Sequence, residues 1–532
     1  MNATVFLQIP QQHDYTNPAV ELNHKRLGKW LKQLPLLNLV ASMRELLGAL
    51  EPANMQRMPA KTRVRLLELY RQTVVSIFPA TEDEALRRLP LTGAQREQVK
   101  EDMTRLCAAL AAGYKILVND GLQEQVDPRR QPILLLAAYR AVETGALTLL
   151  HAYRTYQPAP PFTYLDLHQL YRFAEQWGIV DSAVVYDREV VDPDGIGASY
   201  KRIMLLAVLD PLHLAAGTAV PLHAMLGPYA GHCRIETAAS GRGDACSFLV
   251  DPDGDSPPVP SAKVSAGYPI EQPRFLQVRP AVEQARQRLS ELYTHADWAR
   301  THGEEVRLLG LLAPELERDR RRQTPRKTVN RETRVALGID AIHYYLSRGP
   351  RHLDELLKGA ESGIQVDDLD SEQEARHTLD PWMIINHSAN GFLLTSRRNV
   401  QREVRVGEAL AVILPGNGQQ MPLLTLACAR WMRNTTDRRV EIGVEVIPGN
   451  MAPVTCVPDD ELNLKYGELA ALLLSGVSGQ NPPTTLITPK AIYGPNRPLS
   501  IQTGCESLRV RAAELIMDTA VFDRFTFETL EP

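Results

Sequence analysis

The hydrophobic period of this chain changes near residue 320, and that change limits what it can fold into. From residue 17 to about 178, apolar side chains recur at helical spacing. Leu27, Trp30, Leu31, Leu34 and Leu37 form one set, and Val64, Leu66, Leu67, Leu69 and Tyr70 a second. Ile133, Leu136, Ala137 and Tyr139 begin a third that runs through Leu150. Breaks are expected at Pro52, Pro59, Pro79, Pro90 and the Pro158-Ala159-Pro160-Pro161 linker. No period within this region is strong enough to name a repeat. Residues 181–317 are mixed. Ala183–Tyr186, Cys233–Glu236 and Ser247–Val250 read as strands, and Tyr200–Leu214, Val220–Leu226, Val282–Tyr293 and Val306–Leu316 as helices. Beyond the arginine-rich stretch that follows, the chain turns to short strands. Thr333–Ile339, Trp382–Ile385, Gly391–Leu394, Leu410–Leu414, Leu424–Trp431 and Val440–Ile447 are separated by turn residues such as Pro415-Gly416-Asn417-Gly418. Strands of this length and spacing predict a small antiparallel barrel, and Thr484–Leu530 predicts a further β-rich module.

A chain of 532 residues is too long for one ordinary core and suggests about three domains. Its composition, 44% hydrophobic and 23% charged, is that of a soluble globular protein. The net charge of −4 disfavours broad binding to nucleic acid or membrane, so an anion site has to be a local cluster. Met1–Pro10 lacks a basic region followed by an apolar run, and runs such as Ile133–Tyr139 and Leu469–Leu474 are too short to span a bilayer. Cys107, Cys233, Cys246, Cys428, Cys456 and Cys505 are scattered without zinc spacing, which predicts reduced structural thiols in a cytoplasmic protein. Asp251-Pro252-Asp253-Gly254-Asp255 has the start of a calcium loop, but Ala262 stands where the closing glutamate belongs, so a plain turn is expected. Arg242-Gly243-Asp244 likewise reads as a turn.

Two short segments carry most of the chemistry. Arg321-Arg322-Gln323-Thr324-Pro325-Arg326 places a third arginine four residues after the second. Pro325 pushes its predecessor toward extended backbone, so Arg322 and Arg326 are expected on a loop rather than a helix. Guanidinium groups fork onto phosphate oxygens and stack on flat bases. Asn386-His387-Ser388-Ala389-Asn390-Gly391 spells N-x-S-x-x-G. Asn386 and Ser388 can offer donors and acceptors to a base edge or ribose, and Gly391 allows close backbone approach. His387 reads as a solvent-facing turn residue. Glu315, Glu317, Asp319 and Glu332 interleave with the arginines and compensate part of their charge.

Together the two segments resemble the two-part signature of the PilZ family, bacterial receptors for cyclic di-GMP. Four matches occur in the family's order: the R-x-x-x-R of Arg322 to Arg326, the N-x-S-x-x-G of Asn386 to Gly391, a turn at Val406–Leu410, and a closing hairpin of Arg430–Arg433 with Ile442–Val446. The resemblance covers roughly residues 320 to 455. It implies a multidomain α+β chain with a helical N-terminal region, a PilZ-like antiparallel β-barrel and a C-terminal β-rich extension. The expected division is 1–180 helical, 181–317 mixed with connecting helices, 318–455 the barrel with an insert at 347–379, and 456–532 the C-terminal module. About sixty residues part Arg326 from Asn386, more than a compact barrel needs. The polar, acidic insert, with Asp367-Asp368-Leu369-Asp370 near its middle, is expected as a helical arm or a lid.

The function implied is a non-catalytic cyclic di-GMP receptor whose ligand bridges Arg321, Arg322 and Arg326 to Asn386, Ser388 and Gly391. It would signal to a protein partner, through the N-terminal helices, in motility, pilus, exopolysaccharide or biofilm control. No other cofactor and no metal is expected. Arg430 and Trp431 read as barrel residues, with Trp431 also able to stack on a guanine. The alternative is a nucleic-acid-binding adaptor using the Arg318–Arg334 basic run. The sequence contains no phosphate loop, zinc helix H-E-x-x-H or G-x-S-x-G elbow. Glu408-Ala409-Leu410 spells E-A-L inside a barrel turn, without the acidic metal ligands of a phosphodiesterase.

Overall fold

The computed structural model describes residues 5–14, 17–18, 20–187, 189–238, 244–263, 270–295, 297–317, 324–362, 377, 379–396, 404–414, 422–437, 439–459, 466–476, 483–503 and 506–530. Two units divide the chain, one of Met1–Pro211 with Gly217–Arg321, the other of Leu212–Ala216 with Arg322–Pro532.

The first unit is built on helices α1 (His24–Leu31), α2 (Leu39–Met55), α3 (Ala60–Ile77), α4 (Asp83–Arg87), α5 (Gly93–Gln123), α6 (Pro132–Arg154) and α7 (Thr163–Trp177). A capping box starts α5: Thr92 accepts the Gln95 N–H at 3.3 Å while the Gln95 side chain accepts the Thr92 N–H at 2.8 Å. Two glycines in α5 set how tightly it packs. A Cβ at Gly113 would meet Leu67 of α3 at 2.5 Å, and one at Gly121 would meet Leu134 of α6 at 2.7 Å. Helix α6 is buried on nearly every side, with Leu136, Ala137, Ala138 and Val142 fully inaccessible. It is long and apolar enough to cross a membrane by length and composition, yet it forms the centre of this helical core. Pro52 does not break α2. It lies one turn from the helix end, and the helix continues to Met55.

The same unit adds hairpin β1 (Val184–Tyr186) and β2 (Glu189–Asp192), helices α8 (Gly195–Val208) and α9 (Ala219–His232), and strands β3 (Arg234–Glu236), β4 (Ser247–Val250), β5 (Val259–Pro260) and β6 (Arg274–Gln277). Helices α10 (Arg279–Tyr293), α11 (Trp298–Thr301) and α12 (Gly303–Glu317) complete it. The last four strands form one sheet in the order β3-β6-β4-β5. The acidic turn after β4 has a structural task. Asp253 receives a two-pronged hydrogen bond from buried Arg172 at 2.8 and 2.9 Å, and Asp255 caps α7 by accepting the N–H groups of Phe162, Tyr164 and Leu165. His168 of α7 lies between the Tyr200 hydroxyl and the Ser256 carbonyl, and burial pushes its pKa down to about 4.

The second unit holds two closed six-stranded barrels. The first uses β7 (Lys327–Leu337), β8 (Leu379–Ser388), β9 (Gly391–Ser396), β10 (Ala409–Leu414), β11 (Leu423–Asn434) and β12 (Val440–Val446). The second uses β13 (Asn450–Pro458), β14 (Leu469–Ser475), β15 (Thr485–Pro489), β16 (Pro498–Thr503), β17 (Glu506–Asp518) and β18 (Phe522–Thr529). Around the first ring the order is β7-β8-β9-β12-β11-β10, and around the second β13-β14-β15-β18-β17-β16. Adding six to each strand number turns one ring into the other, so the topology is repeated. The C-terminal module is therefore a complete barrel. Residues 450–455, assigned from the sequence to the first barrel, are the start of β13, and the boundary between the barrels lies between Val446 and Asn450. Strand β7 starts at Lys327, six residues earlier than its apolar pattern begins, because the exposed first half is held by pairing with β8 rather than by burial.

The helical arm expected of the insert is present as far as the insert is described, at 347–362, and 363–376 lie outside the described residues. Helix α13 (Ile339–Ser362) leaves the C-terminal end of β7, the end opposite Arg326, and bends at Gly349, where φ is +82° ahead of Pro350. Ile342, Tyr345 and Leu353 of α13 join Ala411 and Ile413 of the first barrel and Leu472, Leu474, Ile487 and Phe522 of the second in a single buried cluster. The acidic run Asp367–Asp370 lies outside the described residues.

Candidate functional site

Strand register explains how residues sixty apart in sequence come together. Lys327 pairs with His387 and Thr328 with Asn386, so the antiparallel ladder brings Arg326, immediately before β7, beside Ser388 at the end of β8. The β8–β9 hairpin then sets Ser388 opposite Gly391 and Asn386 opposite Leu393, and β12 sets Glu445 opposite Gly391 and Gly443 opposite Leu393. Trp431 of β11 is opposite Gly443. Directly paired residues share a face. One row therefore crosses five strands, Thr328–Asn386–Leu393–Gly443–Trp431, and a second runs Ser388–Gly391–Glu445. Both rows lie on the outside of the barrel. Ile384, Leu394 and Ile442, on the other face of the same strands, are in the core at 3%, 0% and 0% exposure.

Three irregularities shape this end of the barrel. The β7–β8 ladder shifts between Thr328 and Arg331, where Asn330 takes φ of +49°; the β8–β9 ladder shifts between Ile384 and Asn386; and the β11–β12 ladder shifts between Ala429 and Trp431. Bulges re-aim side chains next to binding surfaces. Here the bulge before Asn386 turns it outward, although Ile384 and Trp382, two and four residues earlier, point into the core.

Two glycines make the face approachable. A Cβ at Gly391 would run into the Val444 carbonyl oxygen, so no other residue lets β9 and β12 approach here. A Cβ at Gly443 would overlap the indole ring of Trp431, which lies over that glycine and is half-buried. The flat side chain thus rests on bare backbone. Asn386 contributes a buried Oδ1 that has no hydrogen-bond partner among the described residues. Beside it, Arg430 pairs with Glu445 at 2.6 Å, which occupies one cation of the face.

Of the residues singled out from the sequence, Asn386, Ser388 and Gly391 share the outer face, and exposed Arg326 heads the adjoining strand. Arg321 and Arg322 lie outside the described residues. The seat of Trp431 on Gly443 and the Arg430–Glu445 pair were not read from the sequence. An isolated glycine within the apolar run Ile442-Gly443-Val444 was the available signal, since such a glycine in a strand marks a bulge or a close approach. Among the described residues no three His, Cys, Asp or Glu side chains come together to hold a metal. Cys428, on β11, is buried, and burial pushes its thiol up to about 11, so it is no nucleophile.

Comparison with known proteins bears on each part of the chain. Residues 25–240 match the N-terminal domain model of the cyclic-di-GMP receptor FimW, residues 360–453 its middle PilZ domain, and residues 467–530 its C-terminal β-barrel domain. The chain is similar to the cyclic-di-GMP receptor FimW of Pseudomonas aeruginosa, with 23% identity in an alignment spanning 99% of this chain and 94% of that protein. The three matched segments follow the helical unit and the two barrels in order. The middle match begins inside α13 and leaves out the arginine segment and β7.

Proposed function

We propose that this chain, which belongs to the PilZ-domain family of cyclic di-GMP receptors, binds cyclic di-GMP on the outer face of its first barrel. One observation carries the reading: the β7–β8–β9 register aligns Arg326 with Ser388 and Gly391, and Asn386 with the row that ends at Trp431. The ligand has two phosphates and two guanines. Arg326, with Arg321 and Arg322 from the preceding segment, takes the phosphates and stacks on base planes. Asn386, with its unpaired Oδ1, and Ser388 hydrogen-bond a guanine edge or ribose, and the Gly391 backbone lets the ligand lie close. Trp431 offers a flat surface for a second base.

The receptor works without catalysis. In sequence Arg322 and Arg326 stand between the helical unit and the first barrel, so capture of that segment by the ligand changes the orientation of the helical unit, provided the ligand binds one arrangement more tightly than the other. The helical unit is the partner-binding part, and the output is control of motility, pili, exopolysaccharide or biofilm. A cytoplasmic setting fits the free thiols of Cys107, Cys233, Cys246, Cys428 and Cys456. Long polyanions suit the chain poorly, given its net charge of −4 and the Glu445 that already holds Arg430.

Calorimetry with cyclic di-GMP on the wild type and on Arg326→Ala tests the site. Loss of one charge-assisted fork is expected to cost ~1.5–3 kcal/mol, a drop of about 10-fold to 150-fold in affinity. Equal affinities would remove Arg326 from the site, and no heat with either protein would remove the ligand.

A further inference from the structure

The first helix of the chain carries its charge on one side. From Leu22 to Arg44 the chain has the cations Lys25, Arg26, Lys29, Lys32 and Arg44 and no aspartate or glutamate, in a protein whose net charge is −4. Spacings of four and three residues put Lys25, Lys29 and Lys32 on one face of α1, opposite the buried Leu27 and Leu31. The buried side packs against α3, where Gly28 meets Leu69. The three lysines and Arg26 are exposed, and none has an ion-pair partner among the described residues.

A tight turn follows at once. The Asn38 N–H donates to the Pro35 carbonyl at 2.7 Å, which leaves Leu36 and Leu37 as the two central residues. Turn centres are normally glycine, asparagine, aspartate or serine. Here Leu36 is 41% exposed and Leu37 99%. The tip is firmly held: Pro35 restricts one side, and on the other the Asn38 side chain caps α2 by accepting the Ala41 N–H at 3.2 Å.

We propose that this corner docks on an anionic phospholipid bilayer. The lysine stripe faces the headgroup phosphates and the two leucines enter the boundary with the acyl chains, as in other interfacial elements that combine cations with an apolar edge. Leu37 discriminates between occupants. A nucleic acid or an acidic polypeptide without an apolar pocket answers the lysines but offers nothing to a fully exposed leucine, whereas a bilayer answers both. The contact is peripheral, since the long apolar helix α6 is consumed by the core.

The test is co-sedimentation of the full chain with phosphatidylcholine vesicles containing about one third phosphatidylglycerol, against vesicles of phosphatidylcholine alone. Binding is expected to the anionic vesicles only, and is lost when salt rises from ~0.05 to ~0.5 M. Replacing Lys25, Lys29 and Lys32 together by glutamine is expected to lower the partition coefficient ~100-fold, roughly fivefold per lysine. Replacing Leu36 and Leu37 by serine is expected to lower it by about tenfold. These side chains all face solvent, so the thermal unfolding midpoint of both variants should match the wild type. Failure to bind anionic vesicles, or equal binding to neutral ones, overturns the proposal. So does wild-type affinity in the leucine variant, which would remove the leucines from the contact, or salt-sensitive binding to duplex DNA or polyglutamate that exceeds the vesicle signal, which would assign the stripe to a soluble polyanion.

Discussion

The two barrels share one strand topology but present different outer faces. In the first, β9 starts with Gly391, whose missing side chain lets the Val444 carbonyl approach, and Gly443 carries an indole ring. In the second, the strand corresponding to β9 starts with Thr485, fully buried, whose hydroxyl accepts the Arg524 Nε–H at 3.0 Å. There the strand opens on a buried side chain that holds an arginine of the neighbouring strand. The sheet order is therefore not what makes a receptor face. What sets the candidate face apart is Gly391 and Gly443 at close approaches, the bulge that turns Asn386 outward, and its unpartnered amide oxygen.

Substitutions can break this contrast. The largest effect is expected from Gly391→Val. The new side chain drives β9 from β12, so cyclic di-GMP affinity should fall by roughly 100-fold or more and stability by ~2–4 kcal/mol. The mirror substitution in the second barrel, Thr485→Val, should cost about 1 kcal/mol by removing the acceptor of Arg524, with ligand affinity unchanged. Equal loss of affinity in the two variants, read by calorimetry, would mean that both barrels form the site. Next in size is Leu353→Ala on α13. A cavity in the cluster common to both barrels should cost ~2–4 kcal/mol, and the two barrels should still melt together, seen as one calorimetric transition. Two transitions would show that the barrels are independent. Trp431→Ala should weaken cyclic di-GMP binding by ~1–2 kcal/mol, about 5-fold to 30-fold, with little change in stability, because the ring rests on the barrel's outer face. The smallest effect is expected from Glu445→Gln. This half-exposed pair contributes under ~1 kcal/mol to stability, and releasing Arg430 should tighten ligand binding by about twofold in the same calorimetric assay.

Much of the fold was legible in advance. The helical spacing of Leu27 and Leu31, the strand runs at Leu410–Leu414 and Val440–Ile447, and the turn at Gly407, with φ of +86°, appear where their patterns predict, whereas Leu34 and Leu37, read with the same helix, lie beyond its end at Leu31. What was hidden has a common cause. The first half of β7 is polar and exposed and is a strand only because β8 pairs with it. Pro52 sits inside α2 because tertiary packing overrides a local preference. The partial motif Asp251–Asp255 resembled a metal loop, but its carboxylates serve Arg172 and the start of α7.

The candidate site divides in the same way. The sequence by itself marked the arginines, Asn386, Ser388 and Gly391 as candidates for one anion- and base-binding set, because donors, acceptors and a glycine are properties of single residues. Only the tertiary structure decided that Asn386 faces outward, that Trp431 lies on Gly443, and that Leu353 of α13 joins a cluster common to both barrels. Side-chain direction along a strand depends on register and bulges, and register is settled by pairing with strands distant in sequence, to which a local pattern has no access.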